Sequence, residues 1–227
     1  MVDMKIIYDF LHDLNNNNSM EWMKNNKKLY EKSKKLFELL LMELISGIYT
    51  FDNTIKVLPP KDLTFKLNRD TRFSHDKSPY NPSFRAHISK GGKLPIPVGY
   101  FVSIKPNNSF LGGGLFASMF VEATKNIRDY IVKNEKAFVK IIEAKEFKNH
   151  FIIEGEKLKN VPKEYDKEHK LSEYLKYKSW YIEYKVKDNI VLKSDSFIKM
   201  SLEMFQKMKP FNDFLNKALI DFKMPTR

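Results

Sequence analysis

Hydrophobic residues along this chain recur at a helical period, then at a strand period, then at a helical period again. From Met4 to Leu14, the residues Ile7, Phe10, Leu11 and Leu14 fall on one face of a 3.6-residue repeat. Asn15 to Asn18 form a polar break. Asn18 followed by Glu21 resembles a capping box and predicts one long helix that carries Trp22, Leu29, Tyr30, Leu36, Phe37, Leu40, Leu41, Leu44 and Ile48 inward. Pro59-Pro60 is expected to end this helical part. Leu63, Phe65 and Leu67 then alternate with Thr64, Lys66 and Asn68, the pattern of a half-buried strand. A second alternation covers Val98 to Lys105, with Tyr100, Val102 and Ile104 on one face. Pro106-Asn107-Asn108-Ser109 reads as a turn, after which Phe110 to Ala117 returns as an antiparallel partner.

The helical period resumes from Val121 to Lys133, with Ile127, Ile131 and Val132 on one face, and again from Glu135 to Ile142. Trp180 to Val186 reads as a short strand or an extended arm. Ser194-Asp195-Ser196 is expected to cap a final helix that turns Phe197, Met200, Met204, Phe205 and Met208 inward, and Pro210 to kink or restart it before Phe214, Leu215 and Leu219. The order of periods predicts an α+β fold, an antiparallel sheet packed against N-terminal and C-terminal helices. There is no internal repeat and no long linker, so residues 1–227 are expected to form a single domain.

Composition narrows the chemistry. A 42% hydrophobic and 14% aromatic content fits a folded protein. The chain has no cysteine, which excludes disulfides, thiolate catalysis and Cys-ligated metals. No run approaches the roughly 18 apolar residues of a membrane span, and the N-terminus lacks the pattern of a signal peptide. These features fit a protein of the cytoplasm without a membrane partner. The net charge of +12 allows nucleic-acid binding through phosphate neutralisation, but no zinc-finger, helix-turn-helix or RNA-recognition motif accompanies it. The five histidines include no metal-ligand spacing, so there is no metal signature, and the sequence leaves any cofactor unknown.

The basic residues are unevenly chosen. Of 40, five are arginine: Arg69, Arg72, Arg85, Arg128 and Arg227. Arginine supplies a planar fork of donors that lysine cannot, so its clustering in Arg69-Asp70-Thr71-Arg72-Phe73-Ser74-His75-Asp76-Lys77-Ser78-Pro79-Tyr80 marks a geometric demand. If Arg69 to Phe73 is extended, Asp70 and Arg72 share a face and can pair. Asp76 can hold Arg69 or Lys77. Arg69, Arg72 and Lys77, with Arg128 as a partner from the following helix, are the candidate donors to an anion. Asp70 and Asp76 would orient them, and Tyr80 would add a hydroxyl or a stacking face. His75, Asp76 and Tyr80 are the candidate proton-transfer groups if a reaction is catalysed. Gly112-Gly113-Gly114 matches no phosphate-loop pattern and reads as a bulge or a close backbone approach.

The run from Asn68 to Tyr80 resembles the signature of a bacterial and fungal family of domains of unknown function. Asn16-Asn17-Asn18 with Glu21-Trp22, Gly99-Tyr100-Phe101-Val102, Phe110 to Leu115, Ile127-Arg128, Gly155 to Pro162 and Leu175 to Ser179 are similar to its other blocks in the same order. The resemblance implies an α+β domain and carries no established activity. Three readings therefore stand for the Arg69–Tyr80 stretch. It is a site for a phosphorylated or carboxylated small molecule or nucleotide, a contact of a nucleic-acid or ribosome-associated binding protein, or an internal ion-pair network that only supports the fold.

Overall fold

The computed structural model describes residues 2–55 and 57–225, which contain four strands and ten helices. Arg227 lies outside these residues. Strands β1 (Phe84–Ile88), β2 (Gly99–Ile104), β3 (Ser109–Leu115) and β4 (Trp180–Val186) form one sheet in the order β1-β2-β3-β4, with every neighbouring pair antiparallel. The alternation in β2 sets the inner face: Tyr100, Val102 and Ile104 lie opposite Ile88, Ala86 and Phe84, and all six are buried. Leu111, Leu115, Trp180, Ile182 and Val186 extend this layer across β3 and β4.

Helices from both ends of the chain cover that face. α1 (Met4–Asn16) and α3 (Lys27–Tyr49) bring Phe10 and Phe37 against Phe84, with ring centroids at 5.9 and 5.2 Å. Between them lies the short helix α2 (Met20–Asn25). α10 (Ser194–Ala218) crosses β3 and buries Phe205, Met208, Phe211 and Leu215, side chains each worth roughly 1.5–3 kcal/mol on burial. α5 (Val121–Lys133) and α6 (Glu135–Ile142) close the same core: Tyr130 and Phe138 meet Phe214 at 4.9 and 5.3 Å. The architecture is α+β, with an antiparallel sheet packed against N-terminal and C-terminal helices. The remaining helices are short: α4 (Pro60–Leu63), α7 (Lys145–His150), α8 (Ser172–Leu175) and α9 (Asp188–Val191). Among the described residues, no helix is long and apolar enough to cross a membrane.

Several local expectations are corrected. The helix expected from Asn18 to Ile48 is two helices, and its cap is Ser19, whose Oγ accepts from Trp22 N at 3.1 Å. Asn18 is committed elsewhere, as described below. Pro59-Pro60 does not end α3, which stops at Tyr49; Pro60 opens α4, where a proline's missing N–H costs nothing. Leu63 belongs to α4, so the strand expected at Leu63 to Leu67 shrinks to a Thr64–Ala86 bridge and a bond from Phe65 N to Arg85 O beside β1. Ser194 lies inside α10 rather than capping it, and α10 runs through Pro210 unbroken. Packing on the sheet outweighs the one backbone bond that Pro210 forgoes. The glycine run holds no bulge, because its register with β2 and β4 is continuous. It is a close approach. A Cβ on Gly113 would stand 2.9 Å from Asn212 Oδ1 of α10.

Candidate functional site

The Arg69–Tyr80 stretch is a surface loop with a closed neck. Asn68 bridges Tyr80, Arg69 N donates to Pro79 O at 2.9 Å, and Asn81 N donates to Leu67 O at 2.7 Å. Asn18 clamps the neck from the α1–α2 connection: its Nδ2 donates to Tyr80 O at 2.9 Å and its Oδ1 accepts from Tyr80 N at 3.1 Å. Two sequence blocks 62 residues apart are thus joined by one amide side chain.

Inside the loop, each carboxylate holds an arginine. Asp70 accepts from Arg72 Nε at 2.9 Å and Arg72 Nη2 at 2.6 Å, a bidentate fork. The pair forms through a turn and not through an extended strand, since Asp70 Oδ1 also accepts Arg72 N and Ser74 N donates to Thr71 O. Arg72 holds the Asp70 carboxyl below its ordinary range. Asp76 pairs with Arg69 and accepts from Ser78 N at 2.8 Å; Ser78, then Arg69, lower its pKa. Lys77 bonds the Thr71 carbonyl at 3.0 Å, not Asp76. None of this is buried. The Arg72 side chain is 77% exposed, and Phe73 at the loop tip is 95% exposed. The guanidinium of Arg72 lies 5.9 Å from the Phe73 ring centroid. His75 is exposed, and His75, Asp76 and Tyr80 make no hydrogen bonds to one another.

Arg128 is not part of this cluster. It is 8% exposed on α5 and donates to the carbonyls of Leu175 at 2.8 Å and Tyr177 at 2.7 Å, beneath the Trp180 ring. Its fork satisfies the carbonyl groups left free where α8 ends. Burial lowers its pKa, and Tyr165, Glu164 and Asp129 act in the opposite direction. The expectation that Arg128 assists Arg72 is therefore corrected.

Two further features escaped the sequence reading. One is a cavity of about 570 Å³ at the start of β2, floored by Tyr100, Asp52 and Asn212. Its buried polar groups are already paired. Asp52 accepts from Tyr100 Oη at 2.7 Å and from Thr54 Oγ1 at 2.6 Å, while Asn212 spans Gly99 O and Gly114 N at 3.0 and 2.7 Å. Burial, then Asp52, raises the Tyr100 pKa. The other is a cluster of aromatics on the outer face of the sheet: Phe65, Phe101, Phe110, Phe116 and Tyr181. A partial signal lay unread in the strand alternation, since Phe101 and Phe110 occupy the phase where polar side chains are expected. Among the described residues, no group of three or more His, Asp or Glu is placed to hold a metal.

These elements define an α+β protein with a charged, self-paired surface loop and an aromatic outer sheet face. The chain belongs to the family described as conserved hypothetical protein (DUF2461), whose model matches residues 7–214. A search of the curated proteins and a search of the solved structures found no match.

Proposed function

We propose that this protein binds an extended phosphate-bearing partner through the Arg69–Tyr80 loop. The observation that carries this reading is the state of Arg72. Its Nε–Nη2 edge is oriented by Asp70, yet the side chain is 77% exposed. A guanidinium held in one direction loses less entropy on meeting an anion. Lys77, anchored to Thr71, and the exposed Phe73 stand on the same loop. A small phosphorylated or carboxylated molecule would need a concave site. The loop projects, so a chain of phosphates fits it better than a single small ligand. The reading is one of binding rather than proton transfer, because His75, Asp76 and Tyr80 form no relay.

The internal pairing of Arg69 with Asp76 and Arg72 with Asp70 also supports the scaffold reading, and one experiment separates the two. Titration of labelled inorganic polyphosphate should give binding that weakens linearly in log K against log salt. Arg72→Ala and Lys77→Ala should each reduce that slope by about one. Unchanged slopes in both variants would leave the loop as scaffold.

A further inference from the structure

The outer face of the sheet forms an ordered grid. The register places Arg85, Ser103, Phe110 and Lys185 in one row across the four strands, and His87, Phe101, Gly112 and Glu183 in the next. Gly112 leaves room for Phe116 to fold back over the strand; a Cβ there would stand 2.8 Å from the Phe116 ring. Phe116 thereby stacks on Tyr181 at 4.4 Å and meets Phe101 at 5.4 Å. Phe101 continues the series to Phe110 at 5.7 Å and to Phe65 at 5.9 Å. These five rings are neither in the core nor packed against it, and all keep part of their surface in solvent.

Cations stand over two of the rings. Lys185 lies over Phe110 at 5.2 Å and Arg85 over Phe65 at 5.7 Å. Arg85 has no carboxylate partner among the described residues; its Nε is buried without a hydrogen bond, and its Nη2 reaches only Lys66 O at 3.4 Å. Partly exposed rings beside cations, on a protein of net charge +12, complement a ligand that joins flat rings to a chain of negative charge. Unpaired bases on a phosphate backbone have that chemistry. A duplex does not, because its bases already stack on one another.

We infer that the outer sheet face is a stacking platform for single-stranded RNA. Phe101, Phe116 and Tyr181 take the bases, and Arg85 and Lys185 take the flanking phosphates. Glu183 stands opposite Gly112 in the same row with its side chain 15% exposed, and its pairing with Lys185 at 3.0 Å engages only one carboxylate oxygen. The other can accept from a ribose 2′-hydroxyl, a donor that DNA lacks. The inference deepens the polyanion reading and rests on it only for phosphates that run beyond the platform onto the loop: Phe65 is three residues before Asn68 at the loop neck, so loop and platform share one edge of the sheet.

The test is fluorescence anisotropy of a labelled oligouridine of about 12 nucleotides, a length such platforms span, with the full chain at fixed salt. The wild type should bind it more tightly than duplex RNA or oligothymidine of equal length. Phe101→Ala and Phe116→Ala should each weaken binding by about 5- to 100-fold. Phe116→Tyr, which keeps the ring, should bind like the wild type, and polyphosphate binding should not change in the alanine variants. Wild-type affinity for oligouridine in both alanine variants would overturn the platform, and equal affinity for oligothymidine would overturn its assignment to RNA. A dimer that the alanine variants convert to monomer would show that a second copy covers the face, and would also overturn it. If Arg72→Ala changes neither polyphosphate nor oligouridine binding while the phenylalanine variants still weaken oligouridine, the loop reading fails and the platform stands.

Discussion

Replacing arginine by lysine at two positions separates an arginine that holds the fold from one available to a partner. Arg128 is 8% exposed and donates to two carbonyl oxygens at 2.8 and 2.7 Å. A lysine ammonium is a compact donor that reaches one of these oxygens and leaves the other buried and unpaired. A lost hydrogen bond from a charged donor costs about 1.5–3 kcal/mol. The ammonium is also the more strongly hydrated cation and is harder to bury. Arg128→Lys is therefore expected to destabilise the fold by roughly 2–4 kcal/mol. For a chain of this size that is a fall in Tm of about 5–15 °C. Arg72→Lys removes a fork on an exposed pair and should leave Tm within about 2 °C of the wild type, while weakening polyphosphate binding. Differential scanning calorimetry, with urea denaturation to check that m is unchanged, reads both variants. A fall of under about 2 °C for Arg128→Lys would mean that water replaces the lost bond and the fork is dispensable there. Loss of folding in Arg72→Lys would make the loop a scaffold and refute the binding role.

Two further outcomes follow from buried positions. His87 is buried on β1, and burial pushes its pKa down to about 4 from its ordinary 6.5, while the backbone at Leu94 and Gly92 pulls it upward. The unfolded chain takes up this proton below pH 6.5 and the fold resists until about pH 4. The contribution is thus whole above pH 6.5, lost as pH falls through that window and level below it, a loss on the order of 3 kcal/mol. Urea midpoints across that range should show the decline, and His87→Gln should remove it; an unchanged slope in the variant would assign the decline to other groups. Gly114 has φ +91, and a Cβ there would lie 2.4 Å from Trp180 O, so Gly114→Ala should cost more than about 2 kcal/mol in urea denaturation. A smaller cost would show that β3 yields at this point.

The layers of the fold were legible where burial is one-sided. Tyr100, Val102 and Ile104 alternate because only one face of β2 meets the helices, and Ile7, Phe10, Leu11 and Leu14 recur because only one side of α1 does. Local punctuation was less legible because it depends on distant partners. Asn18 has the chemistry of a helix cap, but its amide matches the peptide of Tyr80, and neighbouring Ser19 takes the cap. Pro210 has the chemistry of a helix breaker, yet Phe205, Met208, Phe211 and Leu215 on the same helix are buried against the sheet, and the helix continues through it. The aromatic face stayed hidden for a different reason. Phe101 and Phe110 each look like ordinary strand residues, and only the register, with Phe116 folded over Gly112, brings them together.

The scarcity of arginine marked positions where geometry matters, and the structure divides those positions by what surrounds the guanidinium. At Arg128 the surroundings are protein carbonyls, so the fork is used up in the fold. At Arg69 and Arg72 they are carboxylates on an exposed loop, so each fork is oriented while part of it still faces solvent. At Arg85 they are an aromatic ring and one distant carbonyl, so the fork is left short of partners. Lysine would serve poorly at each place, but for different reasons: one unpaired carbonyl at the first, lost direction at the second, weaker stacking at the third. Arginine choice alone therefore cannot separate a structural role from a functional one. The unspent donors mark where to test for one, and they lie on the loop and on the sheet edge that carries it, where the proposed chain of phosphates and bases would use both.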